Sequence, residues 1–68
     1  MSTIIINTLA ITVKSLENNV LCGEPVRGQP FYATSKEEFE KEFLFRYSKK
    51  DLLYHKIMKV VSDYYELQ

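Results

Sequence analysis

The sequence has no tryptophan, one cysteine, one histidine, two glycines and two prolines. Each scarcity excludes something. A lone Cys22 rules out an internal disulfide and fits a reducing compartment. One cysteine and one histidine, His55, cannot supply the clustered ligands of a zinc site, so no metal is expected. So few glycines and prolines argue against a collagen-like or disordered chain. Gly23 and Gly28 are not followed by Lys-Ser or Lys-Thr, so no phosphate-cradling loop is present. Apolar runs such as Ile4-Ile5-Ile6 and Phe43-Leu44-Phe45 fall far short of the ~20 residues that cross a bilayer. The N-terminus lacks a basic n-region, so no secretory signal is expected. Neither sign of charge is in excess: nine basic residues meet nine acidic ones. That balance disfavours general nucleic-acid binding and does little to keep copies apart.

Sixty-eight residues, 1–68, make one domain. A folded chain of this mass exposes roughly 4,500 Å² and buries only about 60% of its unfolded surface. Hydrophobic gain and ordering cost, each on the order of 100 kcal/mol, then nearly cancel. The chain is therefore expected to be either a marginal monomer or one that gains its margin from a partner or a second copy of itself.

Residues 1–34 read as β. From Leu9 to Lys14 apolar residues alternate with polar or small ones, placing Leu9, Ile11 and Val13 on one buried face of a strand. Ile4, Ile5 and Ile6 break that phase, so either the strand starts doubly buried or a bulge near Asn7-Thr8 shifts the register. Ser15–Asn19 is the turn, with Asn18-Asn19 as the reversal, because asparagine tolerates left-handed backbone. Val20-Leu21-Cys22 resumes an extended path. Both glycines and both prolines fall in 23–30, which reads as a loop or irregular edge strand. Phe31-Tyr32-Ala33 is a short extended piece.

Residues 35–67 read as α. Ser35 and Glu38 fit a capping box, and Thr34 with Glu37 fits equally. Phe39, Phe43 and Tyr47 then form one apolar face. Ser48, with Asp51 three residues on, is a second cap candidate. Beyond it Leu53, Ile57, Val60, Tyr64 and Leu67 make one stripe, and Tyr54, Met58, Val61 and Tyr65 an adjacent one. A single helix over this whole span would be about 48 Å long, too long for so small a body. Two helices joined near Tyr47–Lys49 are expected, with one long helix covered by a second copy as the alternative. The fold class is therefore α+β: an N-terminal antiparallel hairpin, with room for a short third strand, packed against two C-terminal helices.

Chemistry is sparse. No nucleophile motif surrounds Cys22, which reads as a small buried thiol, and His55 reads as a surface residue beside Lys56. No enzyme activity and no cofactor are expected. Glu37, Glu38, Glu40 and Glu42 spread around the polar side of the first helix, as a solvated face or an acidic strip for a partner. Lys49, Lys50, Lys56 and Lys59 reverse the sign on the second helix. They read as a wet outer face or as phosphate contacts, with Tyr54 stacking on a base. Five tyrosines and four phenylalanines exceed what so small a core absorbs. Tyrosine is enriched at interface hot spots.

The expected function is a small cytoplasmic, non-enzymatic module that binds another protein. It would inhibit or regulate by covering a surface, through Glu37, Glu38, Glu40, Phe45, Tyr54 and Tyr65, with a homodimer as a further expectation. Phage and mobile-element proteins that block host machinery, anti-defence proteins among them, share these traits and act in the host cytoplasm. That association comes from the general character of the chain. The alternative is a dimeric nucleic-acid-binding regulator using Lys49, Lys50, Lys56 and Lys59.

Overall fold

In the computed structural model, which describes residues 2–68, four strands precede two helices. The strands are β1 (Thr3–Asn7), β2 (Ile11–Ser15), β3 (Leu21–Pro25) and β4 (Phe31–Ala33). They form one antiparallel sheet in the order β1-β2-β3-β4. The helices are α1 (Lys36–Leu44) and α2 (Leu52–Glu66). This is the expected α+β arrangement, with the short third strand present and a fourth added.

The extra strand arises because the alternation through Leu9 does not mark one continuous strand. The chain turns over Thr8–Ala10. The Thr8 hydroxyl accepts from the Ala10 N–H at 3.2 Å and the Ile11 N–H at 3.0 Å. A side chain thus supplies the turn bonds, as Ser and Thr do in place of backbone. Leu9, expected to face the core, sits at the tip and is 100% exposed. The bulge is also displaced from Asn7-Thr8. Ile4 pairs with Lys14 and Ile6 with Val13, leaving Ile5 as the extra residue. The added residue changes the phase, so Ile5 and Ile6 both lean on the core.

Asn18 and Asn19 make the next reversal, with φ of 62° and 61° inside a short 3-10 turn. β3 then runs through Gly23 to Pro25 as an inner strand between β2 and β4, so these three residues are neither the loop nor the edge strand that the sequence suggests. Pro25 is tolerated because the pairing with β4 stops at Gly23, so no ladder bond is asked of its nitrogen. Gly23 pairs with Phe31, and a Cβ built at Gly23 would fall on that ring, 2.7 and 2.8 Å from its Cε atoms. Only a residue without a side chain lets the ring lie there.

The first cap forms as expected at Ser35, whose hydroxyl accepts from the Glu38 N–H at 3.1 Å. The return bond lands one residue upstream: the Glu38 carboxylate accepts from the Thr34 N–H at 2.8 Å. The second cap is Asp51 rather than Ser48. Its carboxylate accepts from the Leu53 N–H at 3.3 Å, while Ser48 holds the Lys50 N–H within the link. The break between helices is accordingly wider than expected, from Phe45 to Asp51.

Ile11, Val13, Leu21, Phe31 and Ala33 from one face of the sheet meet Phe39, Phe43, Tyr54, Ile57 and Val61 from the helices. On α2 the buried line runs between the two expected stripes, and Leu67 lies outside it, exposed. The total exposed area is 4,742 Å², close to the roughly 4,500 Å² that mass alone implies. Alternation places Ile4, Thr12, Lys14, Cys22, Glu24 and Tyr32 on the opposite face, away from the helices.

Candidate functional site

A meander under a pair of antiparallel helices gathers its connections at two ends. At one end lie the β1–β2 turn, the β3–β4 loop and the α1–α2 link. The Val26 N–H donates to the Ala10 carbonyl at 2.9 Å, and the Tyr47 hydroxyl donates to the same oxygen at 3.4 Å. A depression of about 340 Å³ opens among Leu9, Pro25, Val26, Arg27, Arg46 and Tyr47. A second hollow, about 700 Å³, lies on the other side of Leu9 and reaches Asp51, Leu53 and Lys56. Leu9 therefore stands as a ridge between two open depressions.

This end collects most of the large apolar side chains left in water. Leu9 is joined by Val26 at 69% exposed, Phe45 at 73% and Leu52 at 82%, with Leu44 at the close of α1. Ile4 and Tyr32 lie instead on the open sheet face. An isolated exposed leucine means little, whereas several on adjoining connections make a patch.

Cations share the same end: Arg27, Arg46, Lys49, Lys50 and Lys56. Arg46 is tied inward. Its guanidinium lies 4.5 Å over the Phe31 ring, donates to the Glu42 carbonyl at 2.7 Å and meets the Glu42 carboxylate at 3.4 Å. It thus holds the end of α1 against β4. The opposite end carries Glu17, Glu37, Glu38, Asp63 and Glu66 in excess over Lys36 and the Lys59 that pairs with Asp63. A chain of zero net charge is divided into a basic pole and an acidic pole.

The expected contact residues are not brought together. Glu37, Glu38 and Tyr65 lie at the acidic end, Glu40 and Tyr54 midway, and Phe45 at the basic end. Glu38 is occupied in the cap. The Tyr54 hydroxyl donates to the Glu40 carboxylate, and that bond holds the phenol above its ordinary pKa. Tyr54 is only 9% exposed, so the open ring expected for stacking or contact is not found. The Tyr65 hydroxyl lies 3.1 Å from the Asn19 carbonyl and 3.2 Å from that of Ala33, sharing its proton between them. Burial pushes its pKa up to about 12. Glu37 and Phe45 remain exposed.

Among the lysines, Lys49, Lys50 and Lys56 lie toward the basic pole. Lys59 pairs with Asp63 at 3.5 Å, further along α2. Lys49 sits 5.9 Å from the centre of the Tyr54 ring. His55 is exposed, with its ring edge-on to Tyr54. Cys22 is buried on the open sheet face beside the Lys14–Glu24 ion pair of 2.7 Å, and burial pushes its thiol up. The sheet separates it from α2 and His55.

Sequence reasoning missed Leu9, Val26 and Leu52. Leu9 and Val26 sit in connections and Leu52 is the first residue of α2, and nothing local marks any of them until the topology sets the three connections side by side. Among the described residues, no three His, Cys, Asp or Glu side chains group as a metal site requires, and no helix is long and apolar enough to cross a membrane.

Fold and surface together define an antiparallel meander with a helical pair on one face and an apolar, basic loop end. No protein-family model matches the chain, no curated protein matches it significantly in sequence, and no solved structure matches it significantly.

Proposed function

We propose that this chain is a non-enzymatic protein-binding module, an inhibitor or regulator that works by covering a surface of another protein in the cytoplasm. The observation that carries this reading is the loop end, where Leu9, Val26, Phe45 and Leu52 are exposed among Arg27, Lys49, Lys50 and Lys56. Apolar anchors inside a charged rim have the anatomy of an interface core and its border. The matching partner presents apolar side chains bordered by carboxylates. The small size and scarcity of reactive groups support a blocking role of the phage or mobile-element kind, directed at host or defence machinery.

Affinity capture from host lysate tests this. Leu9→Asp with Phe45→Asp should lose whatever the wild-type chain retains, with an unchanged circular dichroism spectrum. A Glu37→Lys control at the acidic pole should retain it. Equal capture by the wild type and the double variant would reject the assignment.

A second reading, phosphate binding by a dimer, is favoured by the gathering of Lys49, Lys50 and Lys56 at one pole. The burial of Tyr54 removes the ring that would stack on a base. A gel-shift titration separates the two: no shift at about 50 mM salt eliminates phosphate-driven binding, which is strongest there.

A further inference from the structure

We infer that the free edge of β1 is a self-association site, and that two copies join there into one continuous antiparallel sheet of eight strands. This does not depend on the reading of the loop end. β1 pairs only with β2, so its other edge presents unpaired N–H and C=O groups. Such an edge is a template for another strand unless charge, proline, shortness or a bulge blunts it. The two edges of this sheet differ. β4 is only three residues long and follows Pro30 directly. β1 has five residues, Thr-Ile-Ile-Ile-Asn, with no charge and no proline. The first charged side chain in the sequence is Lys14, so nothing along β1 repels an approaching strand.

The bulge at Ile5 is the one blunting device present, and it favours a particular occupant. A bulge bends and overtwists its strand, so a straight foreign strand fits it poorly. A second copy carries the same bend and meets it across a two-fold axis. Antiparallel pairing requires that axis to stand normal to the sheet. Both helical layers then fall on one side, and both open faces, with Ile4 and Tyr32, on the other. The balanced net charge of the chain sets no long-range repulsion against this approach.

Ile4 is the residue to alter, because it lies on the open face of β1, 56% exposed and outside the core. Sedimentation equilibrium of the wild type at submillimolar concentration should give twice the 8.0 kDa monomer mass. Ile4→Lys alone and Ile4→Glu alone should each lose that doubling while keeping the wild-type circular dichroism spectrum. An equimolar mixture of the two should recover it, since opposite charges across paired strands attract where like charges repel. Recovery on mixing distinguishes a lost interface from a misfolded chain. A wild type that stays at the monomer mass would overturn the inference. So would single variants that remain dimeric, which would place the contact elsewhere, or a mixture that stays monomeric.

Discussion

The Phe31 ring rests on Gly23, its partner residue in the neighbouring strand, in the space a side chain would occupy. The same ring packs against Phe39 with 5.2 Å between centroids and carries the Arg46 guanidinium on a face. It therefore links the sheet, α1 and the start of the interhelical link. Gly23→Ala is expected to cost about 1–3 kcal/mol by overpacking. The penalty should shrink in a Phe31→Leu background, and a double-mutant cycle in urea measures the difference. Equal penalties in both backgrounds would show that the ring is not what excludes the methyl group.

Phe43 and Phe45 are two positions apart and have opposite fates. Phe43 is fully buried, stacked on Tyr47 with 4.5 Å between centroids, whereas Phe45 is largely in water. Phe43→Ala should destabilise by about 3–5 kcal/mol. Phe45→Ala should stay within about 0.5 kcal/mol of wild type. Thermal denaturation of both variants tests the contrast.

Ser35 and Asp51 cap different helices and share no partner. Alanine at either should cost about 1 kcal/mol, and the pair should be additive. Ser48→Ala should fall within about 0.5 kcal/mol, because its bond closes a turn in an exposed link. A larger loss at Ser48 than at Asp51 would reverse the cap assignment.

Alkaline pH should unfold the protein through its phenols. Tyr65 ionises at about 12 when folded, against an ordinary 10.0, because burial penalises the phenolate. Between those values the unfolded chain has released a proton that the folded chain retains. Its contribution to stability is thus complete below pH 10 and is lost as pH rises toward 12. Tyr47 and Tyr54 are also raised, as is Lys14 through its bond to Glu24, and all act in the same direction. Tyr65→Phe should shallow the decline without abolishing it, and urea midpoints measured across this range would show the change.

Much of the fold was legible because its signals are local. Ser35 and Glu38 stand at capping distance, Asn18-Asn19 carries left-handed chemistry, and Phe39 and Phe43 repeat at helical spacing. The β1–β2 turn escaped notice because Asn7-Thr8-Leu9-Ala10 contains no glycine or proline and the alternation from Leu9 to Lys14 begins inside it. The bulge was legible as a break in phase, but its position was not, because three consecutive isoleucines fit either face. The tyrosines were ambiguous for another reason. Their hydroxyl partners, Glu40 for Tyr54 and Ala33 for Tyr65, are 14 and 32 residues away in sequence. The loop-end patch is less local still, since it exists only once three separate connections have been brought to one end.

Every strand in this sheet lies beside the strand before it, and the two helices lie beside each other. Few distant segments must find one another before contacts begin to stabilise, so little loop-closure entropy stands in the way of the native state. Refolding should be quick for a sheet-containing protein. A chain emerging slowly from its N-terminus can pair β1, β2 and β3 first, with their apolar face waiting in water until Phe39, Phe43 and Ile57 arrive to cover it.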